Sequence, residues 1–216
     1  MVGGRDGAGL RRYDGLPQTL ILNHQVPPMS TLSELLAEAA TFHSRLTADV
    51  HVSALAKRLC DGLAPLSLQA ENPFCDVCDG SGLYYLEAKF PFRTYAELDA
   101  FGTQWGKVKA TGVPPGLPRY YVGRAKKQKK RIAAGDFVPF YLGKEMNVQS
   151  RLSGHMDGKL EASTYALKLK ERAEIFKHID LRFSFVEIPV EERAYFCIAL
   201  LEKALRDRFN PIIGRQ

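Results

Sequence analysis

Cysteine is scarce in this chain of 216 residues, and long apolar runs are missing from it. Its four cysteines, Cys60, Cys75, Cys78 and Cys197, are too few and too unevenly spaced for the disulfide framework of a small secreted scaffold. No stretch approaches the roughly 20 consecutive apolar residues that cross a bilayer. The start, Met1 to Arg12, carries arginines and glycines with no apolar segment behind them, so it does not read as a secretory signal. A cytoplasmic protein without membrane contact is the expectation. What is present is ordinary globular composition, 45% hydrophobic and 25% charged residues, which suits one principal domain with an added helical region.

Charge is modest in total and uneven in place. The formal net charge is +6, yet from Lys107 to Arg151 eleven basic residues face only Asp136 and Glu145, a local excess of nine. Positive charge is therefore concentrated in the middle of the chain, and the remainder is slightly acidic. For Lys126 to Arg131 alone, a solvated lysine loop and a phosphate-binding patch are equally good readings.

Helical spacing dominates the first third. Thr31 with Glu34 has the pattern of a capping box, and Leu32, Leu35, Leu36, Ala39, Phe42 and Leu46 recur with the helical period. A second helix is expected from about Val50 to Leu63, with Val52, Leu55, Ala56, Leu59 and Cys60 on one side. Both stripes are expected to pack against the rest of the protein, with a dimer contact or the wall of a DNA cleft as other uses. Ala64 to Pro73 reads as a connection. Cys75 and Cys78 have the spacing of half a zinc knuckle, but a structural site needs four ligands and no second cysteine pair exists. Unligated thiols are the expected state.

Strand signals follow. Gly82-Leu83-Tyr84-Tyr85-Leu86 predicts a strand from about Leu83, with Tyr84 and Leu86 on one side. After an excursion from Pro91 to Pro118, Arg119-Tyr120-Tyr121-Val122-Gly123 reads as another short strand, with Arg119 and Tyr121 on one side. If 148–156 is helical, Arg151 and His155 share a face. Asp180 to Ile188 alternates with period two and predicts a half-buried strand that stops at Pro189. A helix is expected from Glu191 to Phe209. Within it Glu202 projects beside the stripe of Ile198, Leu205 and Phe209, and a half-buried carboxylate requires compensation. Arg151 is one candidate for that role. A divalent cation is the other, because hard ions take oxygen ligands.

Taken in order, Gly82-Leu83-Tyr84, Tyr121-Val122-Gly123, Arg151, His155 and Glu202 resemble the motifs of the GIY-YIG nuclease superfamily, over roughly residues 82–214. The Tyr-Val-Gly-Arg-Ala run, the insertion before Tyr121 and the Arg-Leu-Ser-Gly-His segment are most similar to its type II restriction endonuclease branch. The resemblance implies a compact α/β core in residues 74–216, a three-stranded antiparallel sheet flanked by helices, behind an N-terminal helical extension in 1–73. It implies a homodimer that hydrolyses phosphodiester bonds of double-stranded DNA at a specific, palindromic site. A cognate DNA methyltransferase belongs to such a system, without a required direct contact.

The same resemblance distributes the roles. Tyr84 is the general base or passes a proton to one, and Tyr121 orients water or phosphate. Arg151 stabilises charge at the scissile phosphate, and His155 orients Tyr84 or shares its proton. Glu202 anchors one Mg²⁺, for which Mn²⁺ is a substitute. Arg119, Arg124, Lys126, Lys127, Lys129, Lys130 and Arg131 are the expected contacts to the DNA backbone. One departure stands out. Where the family often has an asparagine three residues after the proline that closes the last helix, this chain has Gly214, with Asn210 before Pro211 as the nearest amide. A repair or mobile-element DNA nuclease, and a noncatalytic DNA-binding protein on a degenerate nuclease core, remain open beside the restriction reading.

Overall fold

Strand β2 (Gly82–Lys89) is buried along nearly its whole length, as its apolar run on both faces requires of a central strand. In the computed structural model, which describes residues 31–71, 73–77, 79–106 and 116–214, β2 lies between β5 (Asp180–Glu187) and β4 (Val138–Glu145), antiparallel to both. A further strand, β1 (Ala64–Leu66), pairs with β5 through Ala64 opposite Phe183 and Leu66 opposite Leu181. The sheet therefore has four strands in the order β1-β5-β2-β4. This corrects the expectation of a single three-stranded sheet. The segment that reads as a connection after the second helix supplies the extra edge strand, and a separate two-stranded sheet joins β3 (Arg119–Tyr120) to β6 (Ile213–Gly214).

Strand β4 has no alternation that announces it, and it carries Pro139. A proline lacks the N–H that a central ladder needs, and β4 is accordingly at the edge. Pro139 sits opposite Glu87, where the register with β2 shifts, and its carbonyl accepts from the Ile212 amide at 3.0 Å.

The sheet separates two apolar cores. On one face Tyr84, Leu86 and Tyr141 pack with α3 (Tyr95–Gly106), through Leu98, Phe101 and Trp105, and with α6 (Val148–Asp157), through Val148, Leu152 and Met156. On the other, Leu83, Tyr85, Leu142 and Val186 meet Val52, Ala56 and Leu59 of α2 (Asp49–Asp61) and Ile198, Leu201 and Leu205 of α8 (Tyr195–Phe209). Cys60, expected on the packing side of α2, is exposed. Helix α1 (Leu32–Leu46) forms with both halves of the Thr31–Glu34 capping box in place. Its stripe does not pack as expected: Leu32, Leu35, Leu36 and Phe42 are 72, 51, 61 and 44% exposed. No described helix is long and apolar enough to cross a membrane.

The run after β3 is helical rather than extended. Tyr121 has an extended backbone, but its carbonyl accepts from Arg124 and Ala125, and it caps α4 (Val122–Lys127). Helix α5 (Lys129–Ala134) follows, anchored by buried Ile132. Lysine, arginine, alanine and glutamine are good helix formers, and one buried residue per short helix suffices to dock the pair. The basic stretch is thus a folded surface and not a loop.

Candidate active site

Tyr84 and Tyr141 come together because β2 and β4 are neighbours. Tyr84 is paired with Gly143 and Leu86 with Tyr141, so all four residues share one face of the sheet. The Tyr84 ring lies over Gly143: a Cβ on that glycine would collide with Cζ and Oη of Tyr84 and come within 2.8 Å of its Cε2. The ring centroids of Tyr84 and Tyr141 are 6.0 Å apart, nearly stacked, and that of His155 stands 5.4 Å from Tyr84 and 5.0 Å from Tyr141.

Helix α6 delivers the next two groups from a single turn. Its N-cap Asn147 accepts from the Ser150 amide at 2.7 Å, which starts the helix just after β4 ends. Arg151 and His155 share a face of the helix, as their spacing predicts, and His155 is turned to the tyrosines. His155 Nε2 is 2.8 Å from the Tyr84 hydroxyl. Arg151 donates through Nη2 to the Tyr165 carbonyl and has Nε 3.9 Å from Glu145.

The electrostatics of this cluster are dominated by burial. Tyr84 is held well above the ordinary phenol range, first by desolvation and then by Tyr141, while Arg151 pulls it down. Tyr141 is raised by desolvation, lowered by Arg151 and raised again by the charge of Glu202. His155 is pushed well below its usual value by burial, with Arg151 adding to the effect. Burial alone would lower Arg151, but Tyr84, Tyr141 and Glu145 outweigh it and the net shift is upward. At rest the site holds neutral tyrosines, a neutral histidine and a charged arginine.

Glu202 stands on α8, which packs on the other face of the sheet, and its charge acts to raise Tyr141. Its partner is Arg206, through Oε1, not Arg151. The two side chains are only 12 and 16% exposed, so this is a half-buried pair. Among the described residues no group of three or more His, Cys, Asp or Glu is arranged to hold a metal. Glu202 offers an oxygen donor of the kind a magnesium-type ion takes, and Arg206 holds it here.

Tyr121 stands apart from Tyr84. Among the described residues, no hydrogen bond or ring contact joins the two. Its ring carries the Arg124 guanidinium at 4.5 Å, and both the Tyr121 hydroxyl and Arg124 Nη1 are buried without hydrogen-bond partners. Arg124 is lowered by burial and then by the charge of Arg206. Gly123 has open space around its Cα, in contrast to Gly143. The tyrosine that faces Tyr84 is thus Tyr141, in a second Tyr-aliphatic-Gly run, Tyr141-Leu142-Gly143. The sequence reading passed over it although it leads directly to Arg151 and repeats the motif.

The remaining basic residues are variously engaged. Arg119 lies exposed in β3, opposite Gly214. Lys127 donates to Asn210 Oδ1 at 2.8 Å, Lys129 stands over the Tyr95 ring at 4.9 Å, and Arg131 donates to the Phe137 carbonyl. Lys126 and Lys130 are exposed. Lys107 and Lys109 lie outside the described residues, as does Cys78, while Cys75 is a free, exposed thiol. Asn210 adopts the left-handed conformation, φ 52°, at the end of α8 and spends its amide on the Asp207 and Arg208 carbonyls. It does not stand in for an amide at Gly214.

No family model, curated protein or solved structure matches this chain.

Proposed function

We propose that this protein is a metal-dependent DNA endonuclease of GIY-YIG type, hydrolysing phosphodiester bonds in duplex DNA. One observation carries the reading: two tyrosines on adjacent antiparallel strands are buried together against a histidine that shares a helix face with an arginine. Nothing in a purely structural core calls for two tyrosines, a histidine and an arginine to meet in this way, and each matches a need of phosphodiester hydrolysis.

Arg151 has the planar fork that engages two phosphate oxygens and opposes the charge that develops on them. It reaches that role by releasing the Tyr165 carbonyl. The tyrosines hold and orient through their hydroxyls. Acting as a base requires a phenolate, which burial opposes and Arg151 favours. Glu202 would hold a divalent cation, which would supply neutralisation of phosphate charge. The exposed lysines of α4 and α5 attract the backbone. Cleavage at a palindromic site by a homodimer, as in a restriction enzyme, is the biological form we favour, and the apolar stripe that α1 leaves in solvent is the first surface to examine for pairing.

The test is incubation of the parent protein, Tyr141→Phe, Tyr121→Phe and Glu202→Gln with complex unmethylated duplex DNA and Mg²⁺, followed by mapping of the ends. Discrete cuts by the parent are expected, with losses of roughly 100-fold or more for Tyr141→Phe and Glu202→Gln. Binding without any ends, in Mg²⁺ and in Mn²⁺, would overturn the assignment.

A further inference from the structure

His155 is held at both ring nitrogens. Nε2 meets the Tyr84 hydroxyl at 2.8 Å, and Nδ1 accepts the backbone N–H of Leu167 at 2.9 Å. A backbone amide can only donate, so Nδ1 carries no proton. A neutral imidazole then has its one proton on Nε2, and the Tyr84 oxygen is the acceptor. The ring is buried, and among the described residues no carboxylate is hydrogen-bonded to it that would stabilise the imidazolium.

The donor to Nδ1 comes from a strap, residues 158–169, that folds back along α6. The Leu169 amide closes it onto the His155 carbonyl at 2.9 Å, and the Ala166 amide ties it to the Gly116 carbonyl at 3.0 Å. Gly116, φ 69°, allows that approach, since a Cβ there would run into the Ser163 and Thr164 carbonyls. Lys168 is itself left-handed, φ 56°, and is fully buried. Its ammonium clamps the strap from inside by donating to the Leu160 and Ala162 carbonyls at 3.3 and 2.5 Å. The same strap presents the Tyr165 carbonyl to Arg151, and the Tyr165 hydroxyl donates to the Gly214 carbonyl at 2.9 Å. One segment thus sets both α6 side chains.

We infer that the strap is a tautomer lock, in which the Leu167 amide fixes His155 as a hydrogen-bond donor to Tyr84. This rests on the nuclease reading for its purpose and on geometry alone for its existence. While the strap is seated, Tyr84 cannot pass its proton to His155, because the receiving nitrogen is already protonated. The Tyr84 proton instead points away from His155, into the cluster of Tyr141 and Arg151. His155 is therefore a positioning residue. It stabilises a Tyr84 phenolate by donation and takes no part as a base.

The experiment is two-bond ¹H–¹⁵N correlation spectroscopy of the whole protein with labelled histidines, His155 being assigned by loss of its signals in His155→Gln. Expected is a protonated Nε2 and a bare Nδ1, with no titration of His155 across the range in which exposed histidines charge. A proton on Nδ1, or a His155 that titrates with the others, overturns the lock. In Lys168→Met, which removes the internal clamp, the two His155 nitrogens are expected to move towards averaged shifts, and unchanged shifts in a folded variant count against the strap. A cleavage assay provides the separate arm. His155→Gln keeps a donor near Nε2 and should exceed His155→Glu, which has none when ionised, by about 10- to 100-fold, and equal rates would rule out donation as the role. A protein that cuts no DNA but shows the bare Nδ1 would refute the nuclease reading and leave the lock standing.

Discussion

Two glycines distinguish the two Tyr-aliphatic-Gly runs, and replacing each by alanine separates them. Gly143 lies beneath the Tyr84 ring, which is hemmed in by Tyr141 and His155, with centroids 6.0 and 5.4 Å away. An added methyl forces that ring off the sheet and its hydroxyl off His155 Nε2. Overpacking of this kind costs about 1–3 kcal/mol, and a buried donor left without its acceptor about 1–3 kcal/mol more. For a chain of this size each kcal/mol lowers Tm by about 2–4 °C, so Gly143→Ala should lose roughly 5–20 °C. Gly123 is exposed at the start of α4, with nothing within 4 Å of a Cβ. Gly123→Ala should be neutral or stabilising by up to about 1 kcal/mol. Calorimetric unfolding gives the first comparison. Cleavage of duplex DNA gives the second, with activity lost in Gly143→Ala and retained in Gly123→Ala. Equal damage from both substitutions, or a neutral Gly143→Ala, would show that Tyr141-Leu142-Gly143 does not hold the position assigned to it.

Three further outcomes are expected. The depressed His155 keeps its neutral form in the fold while an unfolded histidine takes up a proton near pH 6.5. The unfolded state thus binds more protons below that pH, so stability present above about pH 6.5 should fall on acidification, by up to about 1.4 kcal/mol per pH unit; urea midpoints in the parent and in His155→Gln check this, and equal slopes would refute it. Lys126→Ala and Lys130→Ala should each flatten the plot of log DNA affinity against log salt by about 0.9 without changing stability, whereas Lys127→Ala should also weaken the tie to Asn210. Gly214→Asn should be tolerated, because its Cβ would stand at 3.4 Å from Arg124 Nη1 and 3.7 Å from Tyr121. The new carboxamide meets two buried groups that lack partners, so thermal unfolding should move up, by about 1 kcal/mol for one hydrogen bond.

Several missed features were visible in local spacing. Thr94 and Glu97 repeat the capping pattern of Thr31 and Glu34 and open α3 with the same reciprocal bonds, within a stretch that reads as an excursion. Glu202 and Arg206 are four apart on a helix, the spacing of an ion pair. Strand β4 is harder, since Pro139, Gly143, Lys144 and Glu145 break any alternation and only the pairing with β2 makes the segment extended. The exposed stripe of α1 marks a different limit. Periodicity says which face of a helix is apolar and nothing about what covers it.

Local chemistry in the chain determined the α1 cap, the alternation of β5, the extended start of β2 and the shared face of Arg151 and His155, because each depends on residues within one or two turns or pleats. Tertiary structure decided which tyrosine faces Tyr84. That choice turns on the register of Gly143 against Tyr84, a contact between residues 59 positions apart that depends on one ring fitting over one bare Cα. It also decided the proton on His155, since an amide twelve residues further on donates to Nδ1 only after the strap has closed. Non-local pairings of this kind have no signature in spacing, and they are what brings Tyr84, Tyr141 and His155 together.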